Sequence, residues 1–152
     1  MQWKYLLEEL GKAAGLGVLA PDDTGSCSLL FDGRHEVTLI WDEADSSVFL
    51  YGRVADGEAG RDEEAWRALL AASCLGAETG GAAFALYGKS LLLWKRHDAF
   101  VDYRDLEKAL NSFLPQLILW QERLATPTST SEAAPEGGGA KFPADAWPLL
   151  RV

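Results

Sequence analysis

The sequence predicts an α+β fold with the element order α-β-β-β-α-β-β-α. Three observations carry this. Apolar residues recur at helical spacing in three separated segments, and between them lie short runs rich in β-branched and aromatic residues. Those runs are joined by short turn signals, which close antiparallel hairpins rather than parallel crossovers.

In the first segment Trp3, Leu6, Leu7, Leu10 and Ala14 fall at steps of three and four, one face of a helix over 1–14. Gly15 and Gly17 suit the left-handed residue that ends a helix, and Pro21, Asp22, Asp23, Thr24 and Gly25 read as loop. Residues 27–31, 35–41 and 47–54 are then three strands of an antiparallel meander, separated by Asp32-Gly33-Arg34 and by 42–45. A Gly-rich, acidic connection follows over 55–61.

Asp62 is a candidate cap for a second helix carrying Ala65, Trp66, Leu69, Leu70 and Ser73, which Gly76, Gly80 and Gly81 terminate. Residues 83–87 and 90–96 form a hairpin around Gly88-Lys89. Asp102 caps the last helix, whose stripe is Leu106, Leu110, Phe113, Leu117, Trp120 and Leu124; Pro115 is expected to kink or split it. These elements make one domain over 1–125. From 126 to 140 the chain is Thr, Ser, Pro, Ala, Glu and Gly, too poor in large apolar groups to offset the entropy of folding, so 126–152 is expected to be a flexible tail. Its last residues carry Phe142, Trp147, Leu149 and Leu150, a short apolar segment that could dock.

Length and composition agree with one stably folded domain: 152 residues, of which 48% are hydrophobic and 24% charged. A net charge of −9 disfavours nucleic acid and anionic lipid as partners. Cys27 and Cys74 form no C-x-x-C pair, which fits a reducing compartment. Glu8 and Glu9 interrupt any signal-peptide core, and no apolar run approaches the ~20 residues of a membrane span, so a cytoplasmic location is expected.

The motifs that point to chemistry fail on context. Gly88-Lys89-Ser90 resembles the end of a phosphate-binding loop, but the required earlier glycine is Ala83 and the next segment reads as a strand. The Gly15 to Ala20 stretch follows a helix where a dinucleotide site needs a strand. His35 and His97 have no ligand at zinc spacing, and His97-Asp98 with Ser90 lacks a nucleophile elbow. Glu58, Asp62, Glu63 and Glu64 lack the alternation of a calcium loop. No catalytic residue, metal site or cofactor is therefore expected.

Leu7-Glu8-Glu9-Leu10-Gly11 with Gly15-Leu16, the stretch from Gly25-Ser26-Cys27-Ser28-Leu29 to Asp32-Gly33, and the final stripe with Phe113-Leu114 and Trp120 occur here in one order. In that order they resemble the Tir chaperone (CesT) family, the class I effector chaperones of type III secretion, over residues 1–125. The resemblance implies a twisted antiparallel sheet packed on the first and last helices. It also implies a homodimer made by the second helix and the strand after it, for which Trp66, Leu69, Leu70, Phe84 and Leu86 are the candidates. The partner it implies is the disordered N-terminal segment of a secreted effector, held extended and export-competent in the bacterial cytoplasm.

Strand alternation places large apolar groups on both sheet faces, although a two-layer domain needs only one. Leu30, Ile40, Phe49 and Tyr51 are therefore candidates for the effector-binding surface, with Trp3 on the first helix as a further candidate. The segment around Phe142 and Trp147 is an alternative occupant of such a surface. Two other classes stay open: a small enzyme using His97 and carboxylates, and a non-secretory interaction module of adaptor or immunity type.

Overall fold

The computed structural model describes residues 2–57, 61–98 and 102–125. The expected tail over 126–152 and Glu58 of the acidic run lie outside the described residues.

The elements follow the expected order: α1 (Gln2–Ala14), β1 (Ser26–Phe31), β2 (His35–Asp42), β3 (Ser47–Asp56), α2 (Glu63–Ala72), β4 (Ala83–Tyr87), β5 (Ser90–His97) and α3 (Tyr103–Leu124). The five strands form one antiparallel sheet in the order β1-β2-β3-β5-β4. β5 thus lies between β3 and β4, and β1 and β4 are the edges.

Local chemistry explains the boundaries. Asp32 and Gly33 both take left-handed φ values, 52° and 66°, as the tight turn between β1 and β2 requires. The Asp62 carboxylate accepts from the Ala65 amide at 2.9 Å and caps α2. Asp102 accepts from Arg104 and Asp105 while the Asp105 side chain returns to the Asp102 amide, a reciprocal capping box on α3.

Of the two outcomes expected at Pro115, a split does not occur: one helix of 22 residues runs through it. The lost amide bond is outweighed by packing, since Phe113 and Leu117 on either side are fully buried and hold both halves against the sheet.

Pairing register and alternation divide the sheet into two faces. The first face carries Cys27, Leu29, Val37, Leu39, Val48, Leu50 and Leu93, and these join Leu6, Leu7 and Leu10 of α1 and Leu106, Phe113 and Leu117 of α3 in one core. α3 approaches β3 closely because residue 52 is glycine. A Cβ there would stand 2.5 Å from Leu117 Cδ2 and 2.9 Å from the Glu36 carbonyl oxygen, with Leu117 too tightly packed to yield. Gly52 therefore allows the close approach of α3 to the first face.

A candidate client surface on the second sheet face

The second face is built by the same alternation. Leu30 on β1, Ile40 on β2, Phe49 and Tyr51 on β3, and Leu92 and Trp94 on β5 all point away from the helical core. Phe49, Tyr51 and Leu92 are buried yet stand outside the core cluster, so they form a separate apolar floor. Leu30, 63% exposed, and the half-buried Ile40 and Trp94 stand around it.

The floor is held in place by short contacts. The Phe49 and Trp94 rings lie 6.0 Å apart and tilted by 36°. The Arg96 guanidinium sits 5.6 Å over Phe49, and is itself fixed by Asp98 at 2.8 Å and Asp45 at 2.9 Å, which raise its pKa above the usual arginine value. Ser28 and Thr38 share a hydroxyl hydrogen bond of 2.9 Å across β1 and β2. The surface is a preset apolar platform bordered by polar groups, suited to side chains of an extended segment.

Burial pushes the Tyr51 phenol up to about 12, against a hydrogen bond from Thr38 that acts in the opposite sense. A phenol that ionises less readily when folded stabilises the fold fully below its unfolded value, near pH 10, and loses that contribution as pH rises through about 12. Denaturant midpoints should therefore fall as the pH is raised from about 9 to about 11.5. Tyr51→Phe should lose less over the same interval; an identical loss in both proteins would exclude Tyr51 as its source.

Of the five candidate client-binding residues, the structure brings four together. Leu30, Ile40, Phe49 and Tyr51 share this face, whereas Trp3 lies on the helical side. Its ring stacks on Trp41 at 5.7 Å, and its Nε1 donates to the Gly25 carbonyl at 2.9 Å. Leu92 and Trp94 were missed by the sequence reading because Leu91 to Trp94 is an unbroken apolar run. Only the parity of Leu92 and Trp94 with Phe49 and Tyr51 across β5 and β3 could have found them.

The candidate dimer residues divide as well. Leu69 is buried in the core, and Phe84 packs edge-on against Trp120 at 4.9 Å. Trp66 is half-buried beside the Arg61 guanidinium at 5.9 Å. Leu70 and Leu86 project into solvent, 66% and 58% exposed, and so does Leu75 in a left-handed turn after α2. The sequence reading missed Leu75, since nothing in a Cys-Leu-Gly stretch announces an outward leucine.

Among the described residues no cluster of three potential metal ligands occurs, and no helix is long and apolar enough to cross a membrane. His35 is engaged with Gln121, its Nδ1 lying 2.6 Å from Oε1.

The sheet thus carries the helical core on one face and a second set of large apolar groups on the other. The chain belongs to the Tir chaperone protein (CesT) family, whose model matches residues 5–121. Solved structures agree on the fold. A chain of the ExsC–ExsE complex superposes with a TM-score of 0.71 at 25% identity, covering 84% of this chain and 96% of that one. A chain of the HopA1–SchA chaperone–effector complex gives 0.67 at 20% identity, covering 79% and 93%. The Yersinia pestis type III secretion chaperone SycH, in complex with a fragment of YscM2, gives 0.60 at 18%, covering 78% and 98%. No curated protein matches the chain.

Proposed function

We propose that this chain, a type III secretion effector chaperone by family, holds the disordered N-terminal segment of an effector across the second face of its sheet. It keeps that segment unfolded, soluble and ready for export in the bacterial cytoplasm, and it catalyses no reaction. The observation that carries the reading is the apolar group of Phe49, Tyr51 and Leu92 on the second face, outside the helical core cluster and flanked by the exposed Leu30 and the half-buried Ile40 and Trp94. β1 is an edge strand beside Leu30, so an extended segment can pair with its backbone while its side chains enter the platform. The fold is shared with a chain of the HopA1–SchA chaperone–effector complex, in keeping with an effector as the partner.

The working form is a homodimer joined through α2 and β4. Leu70, Leu75 and Leu86 are large apolar groups left outward in one protomer, with Trp66 beside them on α2. An obligate interface requires such a centre. Light-scattering mass should give a dimer alone, and a dimer that retains the N-terminal segment of an effector encoded beside the gene. Leu70→Asp with Leu86→Asp should shift the mass to that of a monomer. A monomeric native protein would remove the dimer, and a protein that ignores such segments but captures a folded partner would replace the chaperone with an interaction module.

A further inference from the structure

We propose that Ser28 is a selectivity residue: the client residue laid against it on the edge of β1 must carry a hydroxyl or amide side chain. This rests on the client reading above and adds the selectivity of its edge pairing. Paired residues on the second face fall into rows that cross the strands, and one row runs Ser28, Thr38, Tyr51, Trp94. Its first three members are joined through their hydroxyls: Tyr51 is hydrogen-bonded to Thr38, and Thr38 meets Ser28 at 2.9 Å. Thr38 and Tyr51 are buried, so the row surfaces at Ser28, which is exposed on an edge strand.

Ser28 has hydrogen-bonding capacity to spare, because a hydroxyl holds one donor and two acceptor lone pairs. If Thr38 donates to Ser28, Ser28 keeps its own proton and one lone pair. If Ser28 donates to Thr38 instead, it keeps two lone pairs. A client hydroxyl or amide both donates and accepts, so it satisfies either direction. A carboxylate or an ammonium matches one direction at most, and an apolar side chain matches neither.

The backbone fixes the register. The Ser26 carbonyl accepts from the Asp22 amide at 2.8 Å and the Ser26 amide donates to Asp22 Oδ1 at 3.0 Å, so both groups point away from β2 and are taken. Ser28 and Leu30 share the parity of Ser26, and their amides and carbonyls face outward too. Among the described residues no turn, loop or cap bond reaches those four groups. An added antiparallel strand therefore pairs with Leu30 and Ser28 and must leave at Ser26. From N- to C-terminus it presents an apolar side chain against Leu30 and, two positions on, a hydrogen-bonding side chain against Ser28.

Random octapeptides displayed on phage and selected on the full chain should be enriched in an apolar residue two positions before Ser, Thr, Asn or Gln. No enrichment, or a different motif, would overturn the proposal. The leading peptide, remade with Val at its hydrogen-bonding position, should bind about two- to fivefold more weakly. Ser28→Ala should bind both peptides alike. A preference that survives in Ser28→Ala would overturn the proposal, and so would equal weakening of both peptides, which is the mark of a purely structural serine. With the peptide bound, the Ser28 and Leu30 amides should exchange at least about tenfold more slowly, while Cys27 and Leu29, whose groups face β2, change little. Unchanged exchange at Ser28 and Leu30 would place the peptide elsewhere and overturn the register.

The N-terminal segment of an effector encoded beside the gene separates this inference from the reading beneath it. A segment that protects Ser28 and Leu30 and weakens with Ser28→Ala supports both. One that binds without protecting Ser28 leaves the chaperone reading in place and overturns the selectivity. Peptides selected as predicted beside a segment that is ignored would count against the chaperone reading and uphold the selectivity of the β1 edge.

Discussion

Leu30→Asp combined with Ile40→Asp should reduce affinity for an effector N-terminal segment by at least about 100-fold, as loss of a central hot spot does. Both side chains stand on the second face, Leu30 63% exposed and Ile40 half-buried, beside a floor of Phe49 and Tyr51. An apolar client side chain seated there would have to dehydrate a carboxylate with no partner, which costs far more than the apolar contact it replaces. The fold should survive, because both residues lie outside the helical core and substitutions at exposed sites usually shift stability by under about 0.5 kcal/mol, Ile40 somewhat more. Titration calorimetry reads the affinity and thermal unfolding reads the fold. Val18→Asp, 89% exposed on the loop after α1, is the control and should leave affinity unchanged.

Phe113→Ala should act in the opposite way, through stability and not the surface. Phe113 is 1% exposed at the centre of α3, in one cluster with Leu110, Leu117 and the first-face residues of β2 and β3. Removing a buried phenyl ring costs about 3–5 kcal/mol, because the lining can collapse only partly. Small domains hold about 5–15 kcal/mol in total, so this one change should consume a large part of it. Denaturant unfolding should show a much lower midpoint, while protein that remains folded should bind its client with near-native affinity. A stable variant that loses its client would place the client on α3 and contradict the assignment of faces.

The helices and strands were legible because each has one dominant local signal: the stripe from Leu106 to Leu124, the alternation in β2 and β3, and the carboxylates of Asp62 and Asp102 at helix starts. Alternation also separated Ile40, Phe49 and Tyr51 from Leu39 and Leu50. The placement of β5 between β3 and β4 was not legible, because it depends on pairing Tyr51 with Trp94, far apart in the chain. Without that pairing Leu92 and Trp94 could not be joined to the platform.

Trp3 illustrates the reverse difficulty. An aromatic residue on an amphipathic helix has the same sequence signature whether it meets a client or a neighbouring strand, and the stack on Trp41 is visible only in the fold. Pro115 was read as a kink or a split because propensity is local, whereas the packing of Phe113 and Leu117 that keeps the helix in one piece is not.

The central claim is that an unfolded effector segment lies on the second face, and one measurement reaches it directly. With this chain isotope-labelled, an unlabelled effector N-terminal segment is titrated in; with the labelling reversed, the segment is watched in turn. The account predicts shifts concentrated at Leu30, Ile40, Phe49, Tyr51 and Trp94, and a bound segment that gains no compact fold of its own. Shifts confined to the outer surfaces of α1 and α3, or a segment that arrives folded, would contradict it.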